Sequence, residues 1–241
     1  MIQETYEIHA FWGSRPESAA DCAARLRRLI DGLAPLDPVF VGWHCGDAAI
    51  DVNALEKLFD DSRSYYTYPP NKLMPKVGFL LTLWSYKWQV DQIGMHIHAG
   101  SYGNWSRHGN SIALDLTKNR ALTGQPWKAS ELRPVLRAVL DAWDVDEASI
   151  YCNRYLKYFR YYPLPRGQSR LYSPREGWIT YLPSAQAKMI SAPEGVEVER
   201  LDNRGVLYTL CEEPFTIDNP RHMALAAAMQ KALEPIQTRD A

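Results

Sequence analysis

The stretch Met95-His96-Ile97-His98 places two of the chain's six histidines one residue apart, and His108 follows ten residues later. On a β-strand, residues two apart share a face, so His96 and His98 point the same way while Met95, Ile97 and Ala99 point the other. Two neutral imidazoles on one face are the beginning of a metal site, with His108 or Asp91 as a further ligand. No spacing marks that third ligand, and the commoner reading is the hydrogen-bonding polar face of a middle strand. A second pattern is Tyr151 to Arg175, which holds six Lys/Arg, six Tyr and no acid. Arginines such as Arg160 set among rings such as Tyr161 suit a protein interface and, less readily in a chain of near-zero net charge, single-stranded nucleic acid. They also suit a surface loop whose arginines pair with acids elsewhere. The stretch from Glu194 to Asp218 supplies such acids, seven against two arginines. Within it, alternation puts Glu197 and Glu199 on one face of a strand, a local acidic patch or a plain solvated edge. Two loops carry rings that contact a partner or plug the end of a sheet: Tyr65, Tyr66 and Tyr68 in one, Tyr102, Trp105 and Arg107 in the other.

Catalytic signatures are otherwise thin. The chain has no G-x-S-x-G, no phosphate-binding loop, no G-x-G-x-x-G after a strand and no H-E-x-x-H. Four cysteines, at 22, 45, 152 and 211, form no C-x-x-C pair. They read as reduced thiols rather than a zinc cage or a disulfide framework. No cofactor is implied. The net charge of −1 over 241 residues provides no global field for nucleic acid or an anionic membrane. The opening MIQETYEIHAFWG lacks the basic and apolar regions of a signal peptide. The longest apolar run, Val77 to Trp84, is too short to span a bilayer. A cytoplasmic protein is expected. Its aromatic content, 12% with eight Trp and fourteen Tyr, supplies both core and interface residues.

The elements that must position these residues follow from periodicity. Thr5 to Trp12 predicts a strand. Ser14 and Glu17 have capping-box spacing, with Pro16 in the first turn, ahead of apolar residues at helical intervals from Ala19 to Leu33. A short helix is predicted over Asn53 to Asp60, then an aromatic, proline-bearing loop from Tyr65 to Pro75. Val77 to Trp84, Ile93 to Ala99 and Ser111 to Leu116 predict an antiparallel meander. Ser130 is a candidate cap for a helix running to Trp143. Ser149 to Cys152 reads as a short strand, and Tyr151 to Arg175 fits no regular pattern. Trp178 to Leu182 is strand-like. Val196 to Arg200 and Val206 to Cys211 read as a hairpin turning at Asp202-Asn203-Arg204-Gly205. Asn219 with Pro220 begins a last helix. The expected fold class is α+β: an antiparallel central sheet packed by about three main helices. It is expected as a single domain over 1–241, with 1–120 and 121–241 as possible sub-lobes.

Four stretches in order carry a resemblance. They are Phe11-Trp12-Gly13-Ser14-Arg15-Pro16-Glu17-Ser18 with Leu36-Asp37-Pro38-Val39-Phe40; Leu81-Thr82-Leu83-Trp84 through Asn110-Ser111 to Leu116; Gly177-Trp178-Ile179-Thr180-Tyr181-Leu182; and Gly205 to Leu210 through Asp218-Asn219-Pro220-Arg221-His222. In this order, from about residue 6 to 234, the chain resembles the immunity protein 52 family of bacterial polymorphic toxin systems. Tyr151 to Arg175 matches no pattern of the family. The resemblance implies a cytoplasmic protein, without enzymatic turnover, that binds and neutralises a cognate toxin encoded nearby. Such toxins are often nucleases of restriction-endonuclease-like fold, many exported by type VI secretion. It carries over no catalytic or binding residues. The rivals to this reading are a metal-dependent enzyme built on His96, His98 and His108, and a nucleic-acid-binding protein using Tyr151 to Arg175.

Overall fold

A computed structural model of the chain describes residues 4–62, 65–66, 72–73, 75–85, 93–103, 110–116, 124–161 and 174–237. Its centre is a ten-stranded sheet. The strands are β1 (Tyr6–Trp12), β2 (Trp43–Cys45), β3 (Ala48–Ala49), β6 (Phe79–Ser85), β7 (Gly94–Ala99), β8 (Asn110–Leu116), β9 (Glu147–Cys152), β10 (Ile179–Pro183), β11 (Glu197–Leu201) and β12 (Gly205–Thr209). A separate two-stranded ribbon pairs β4 (Tyr65–Tyr66) with β5 (Lys72–Leu73). The large sheet runs β11-β12-β10-β9-β1-β8-β7-β6-β2-β3, and every pairing in it is antiparallel. β6, β7 and β8 form the expected meander. β1, the first strand in the chain, lies between β8 and β9 and joins elements from both halves of the sequence.

Helices α1 (Ala19–Leu33), α2 (Leu55–Asp61) and α3 (Ala129–Ala142) cover one face. Alternation selects that face. Tyr6, Ile8, Ala10 and Trp12 of β1 are buried, as are Ile112, Leu114 and Leu116 of β8, Met95, Ile97 and Ala99 of β7, and Phe79, Leu81 and Leu83 of β6. Register places them in rows such as Ile8–Leu114–Met95–Leu83. The helices complete the core: Phe59 of α2 meets Phe79 edge to face, and Trp143, just past α3, stacks on Trp12 at 5.8 Å. Three further helices follow: α4 (Asn153–Tyr161), α5 (Ser184–Ala187) and α6 (Pro220–Leu233).

Local chemistry explains where elements begin, and two boundaries differ from expectation. Helix α1 starts one turn later than Ser14 and Glu17 suggest: the cap is Ser18, whose hydroxyl accepts the Asp21 amide while Asp21 accepts the Ser18 amide. Both pairs have capping-box spacing, and tertiary contacts decide between them. The Ser14 hydroxyl is committed to the Gly103 amide, and Glu17 to Arg15 and Arg25. At α3 the cap is Lys128 rather than Ser130; Glu131 reaches back to the Lys128 amide, and the Ser130 amide and hydroxyl are bound by Glu212. Pro134 removes one bond to the carbonyl a turn earlier. The buried face of Leu132, Val135, Leu136 and Val139 holds the helix regardless.

The segments read as irregular also contain regular structure. Residues 153–161 form α4, because the prolines that discourage a helix, Pro163 and Pro165, come only after Tyr161. Its start is fixed by Asn153, whose amide donates to the Thr5 carbonyl. Within Tyr65 to Pro75 lies the β4–β5 ribbon. The hairpin at Asp202 to Gly205 and the Asn219–Pro220 start of α6 are as the sequence predicts.

Candidate partner-binding surface

The second face of the sheet is built from the alternate residues of the same strands. Register reads one row as His44–Trp84–Gly94–Asp115–Glu7–Tyr151. The next is Thr82–His96–Ala113–His9–Ser149–Thr180. A third is Leu80–His98–Ser111–Phe11–Glu147. Four of the six histidines therefore share this face.

One end of the face is covered. Ser149, Thr180 and Tyr208 are buried, and the Ser149 hydroxyl donates to the carbonyl of Arg175. Beside them Glu176 is buried and accepts from the Tyr155 hydroxyl at 2.8 Å. Burial pushes the Glu176 carboxyl up to about 7. Glu147, also raised to about 7 by burial and by Asp146, is drawn back down by Arg175.

The other end, β6 to β8, is open. Leu80 is 55% and Trp84 37% exposed, and Thr82 is exposed between them. Trp84 is held in place. Its strand partner is Gly94, where a Cβ would lie 2.9 Å from the Trp84 ring and 2.9 Å from an Asp115 oxygen. Only glycine leaves room for that ring to lie against the backbone. His96 meets Trp84 edge to face at 5.7 Å, and its Nε2 lies 3.3 Å from Asp115 Oδ2. The other His96 nitrogen, Nδ1, is 3.2 Å from the Thr82 hydroxyl. His98 donates from Nε2 to the Val77 carbonyl at 2.7 Å, and His9 contacts Glu7 at 3.0 Å.

This geometry bears on chemistry. Thr82, His96 and Asp115 line up hydroxyl, imidazole and carboxylate, the elements of a nucleophilic relay. A relay also needs amide donors aimed at a developing oxyanion. Thr82 and His96 lie within the β6–β7 ladder, where backbone amides serve strand pairing. His96 and His98 gather no third ligand among the described residues. The single trio of metal-capable side chains there is Cys211, Glu213 and His222. In that trio Nδ1 of His222 accepts from the Thr216 amide, which puts the ring proton on Nε2, facing Glu213 at 3.0 Å. The nitrogen facing the trio thus has no lone pair to offer. Burial also pushes the Cys211 thiol up to about 12, away from the thiolate a metal requires. The buried His222 instead stacks on Phe215 beside the start of α6, which Asn219 caps by accepting the Arg221 amide.

The other candidates fall in several places. Glu197 and Glu199 do share a face, but it is the helix side, where Arg133 of α3 lies 2.7 Å from Glu197 and Arg137 pairs with Glu199. Arg133 also approaches Glu212 at 3.7 Å. Tyr102 is half-buried in the loop after β7, its amide donating to the Lys76 carbonyl. Tyr65 and Tyr66 form β4, and Arg160 and Tyr161 close α4. Tyr68, Trp105, Arg107, His108 and Asp91 lie outside the described residues. Trp84, Leu80, His44, His9 and Asp115 were missed as a group. Alternation in Phe79–Ser85 marks Leu80, Thr82 and Trp84 as one face, but adjacency to β2, β8 and β1 is set by sheet order.

No helix among the described residues is long and apolar enough to cross a membrane. Among the described residues, fold and surface together define an α+β protein with an exposed ring, Trp84, on one face of its sheet. The model of the immunity protein 52 family matches residues 4–237, and the chain belongs to that family. Among solved structures it is similar to the Pseudomonas aeruginosa T6SS protein PA0821, with 7% identity, a TM-score of 0.51, and coverage of 97% of this chain and 76% of that one. At that identity the likeness is one of fold. No curated protein matches the chain.

Proposed function

We propose that this chain is the immunity partner of a toxin encoded beside it, binding and neutralising that toxin without turnover in the cytoplasm of the bacterium that makes both. Membership of the immunity protein 52 family over residues 4–237 is the observation that carries the reading. The T6SS title of the similar Pseudomonas aeruginosa structure supports a toxin delivered by type VI secretion. The toxins associated with the family favour a nuclease. Inhibition is by contact: the bound chain occludes the toxin's active site or blocks an assembly step the toxin needs.

The test is rescue. The toxin's C-terminal domain is expressed in a sensitive host with and without this chain, and the chain is then used to pull the domain down. Restored growth with a stable complex is the expected result. Toxicity that persists with no complex would remove that pair and the reading built on it.

A further inference from the structure

We propose that Glu176 is a proton-operated latch for helix α4: the protonated carboxyl lets Tyr155 hold the helix on the sheet, and ionisation of that carboxyl loosens it. The device is independent of the immunity reading. Three observations point to it. First, Glu176 is 1% exposed, and its two oxygens are unequally served. Oε1 accepts from the Tyr155 hydroxyl, while Oε2 is buried with no hydrogen-bond partner. A carboxylate stripped of water in this way is costly to hold, and the uncharged acid is far less so.

Second, the surroundings do not offset that cost. The titratable and charged groups packed about Glu176 among the described residues are Tyr155 of α4, Tyr151 of β9 and its chain neighbour Arg175. Glu147 of β9 and His9 of β1 lie beside Tyr151. Arg175 acts on Glu176 through charge alone, without a hydrogen bond. The Tyr155 hydroxyl, the backbone amide of Glu176 itself and Arg175 all favour the charged form, and burial outweighs the three. The carboxyl therefore changes state close to neutral pH.

Third, the two sides of the contact are fixed unequally. The segment carrying Glu176 is pinned on every side. The Pro174 carbonyl accepts from Gln237 and the Arg175 carbonyl from the Ser149 hydroxyl, and the Gly177 amide donates to Thr180. Trp178 donates from its amide to Ile150 and from its ring to the Cys211 carbonyl. Helix α4 is tied at its first turn, by Asn153 to Thr5 and by Arg154 to Glu4 and Asp218. Beyond that turn its described anchor is the buried Tyr155 ring, edge-on to Phe215. Water reaches Glu176 at lowest cost when the helix lifts, a local opening rather than global unfolding. In that opening the carboxyl gives its proton to solvent and is hydrated. The opened state binds the proton more weakly, so opening becomes easier as pH rises from the ordinary carboxyl range to about 7.

The test is hydrogen–deuterium exchange on the purified full-length chain, with protection factors of the α4 amides compared with those of α3. In the wild-type chain α4 is expected to be less protected than α3, and to lose protection about tenfold or more between about pH 5 and about pH 8. Glu176→Gln is expected to make the α4 profile flat, while Glu147→Gln keeps the wild-type dependence; thermal melts confirm that both variants fold. Four results would each overturn the latch. One is a flat profile in the wild-type chain, which needs no variant. Another is α4 exchanging only together with α3, in one global event. The others are a dependence that survives Glu176→Gln and one that disappears in Glu147→Gln.

Discussion

At the residue scale, buried polar groups give the sharpest expectations. Asn110 is fully buried; its side chain accepts the Ser101 amide at 2.7 Å and donates to the carbonyls of Gly13 and Ser101. It ties the end of β1 to the loop after β7. Asn110→Ala leaves a buried amide unpaired and is expected to cost about 1–3 kcal/mol in urea unfolding. Glu176 gives a pH signature. Its folded-state pKa is raised to about 7 from an ordinary 4.5, so the folded chain holds that proton more tightly than the unfolded chain. Its contribution to stability is therefore full below the ordinary value and is lost as pH rises through about 7. Glu176→Gln keeps an acceptor for the Tyr155 hydroxyl and carries no charge. It is expected to stabilise the chain at pH near 8.5 by up to about 3 kcal/mol and to change little at pH near 4.5. Equal melting shifts at both pH values would refute that cause. None of this was legible beforehand: nothing in the sequence distinguishes Asn110 or Glu176 from surface residues. Their roles arise from strands brought together across the chain, Asn110 opposite Trp12 and Glu176 beside Tyr155.

At the scale of elements, the sequence was informative wherever period and local chemistry agree. The helical spacing from Ala19 to Leu33, the meander of β6 to β8 and the hairpin at Asp202 to Gly205 were all readable. The start of α1 was not, because Ser14–Glu17 and Ser18–Asp21 offer the same local motif and distant partners choose between them. Ser18→Ala is accordingly expected to lower stability by about 1 kcal/mol, whereas Ser14→Ala acts on the Gly103 loop and leaves α1 helicity unchanged; circular dichroism and thermal melts of the two variants separate them. α4 was missed because a segment dense in Tyr, Arg and Pro was read as one unit, while its helix ends before the prolines. At the sheet's edge, Arg133 bridges α3 to β11 through Glu197 and Glu199. Arg133 is half-buried while Glu197 is exposed, so the pairs are partly screened and Arg133→Ala is expected to cost about 1 kcal/mol, and less in high salt.

At the scale of the whole molecule, the order of the sheet converts scattered residues into a surface. His9, His44 and the His96–His98 pair are far apart in sequence and share a face only because β1 inserts beside β8 and β2 adds beyond β6. The histidine pair that suggested chemistry in the sequence is spent on Asp115, Thr82 and the Val77 carbonyl. On the same face Trp84 and Leu80 stay exposed. The helix-covered face supplies the rigid core against which this surface is held, through rows such as Ile8–Leu114–Met95–Leu83. The central claim is that the chain neutralises a toxin by binding it. The most direct measurement titrates the purified chain into the neighbouring toxin's C-terminal domain while following both complex formation and the toxin's activity. The account predicts a saturable complex with Kd in the nanomolar range, on the order of −12 kcal/mol, and activity that falls in step with occupancy. Full toxin activity in the presence of excess chain would contradict it.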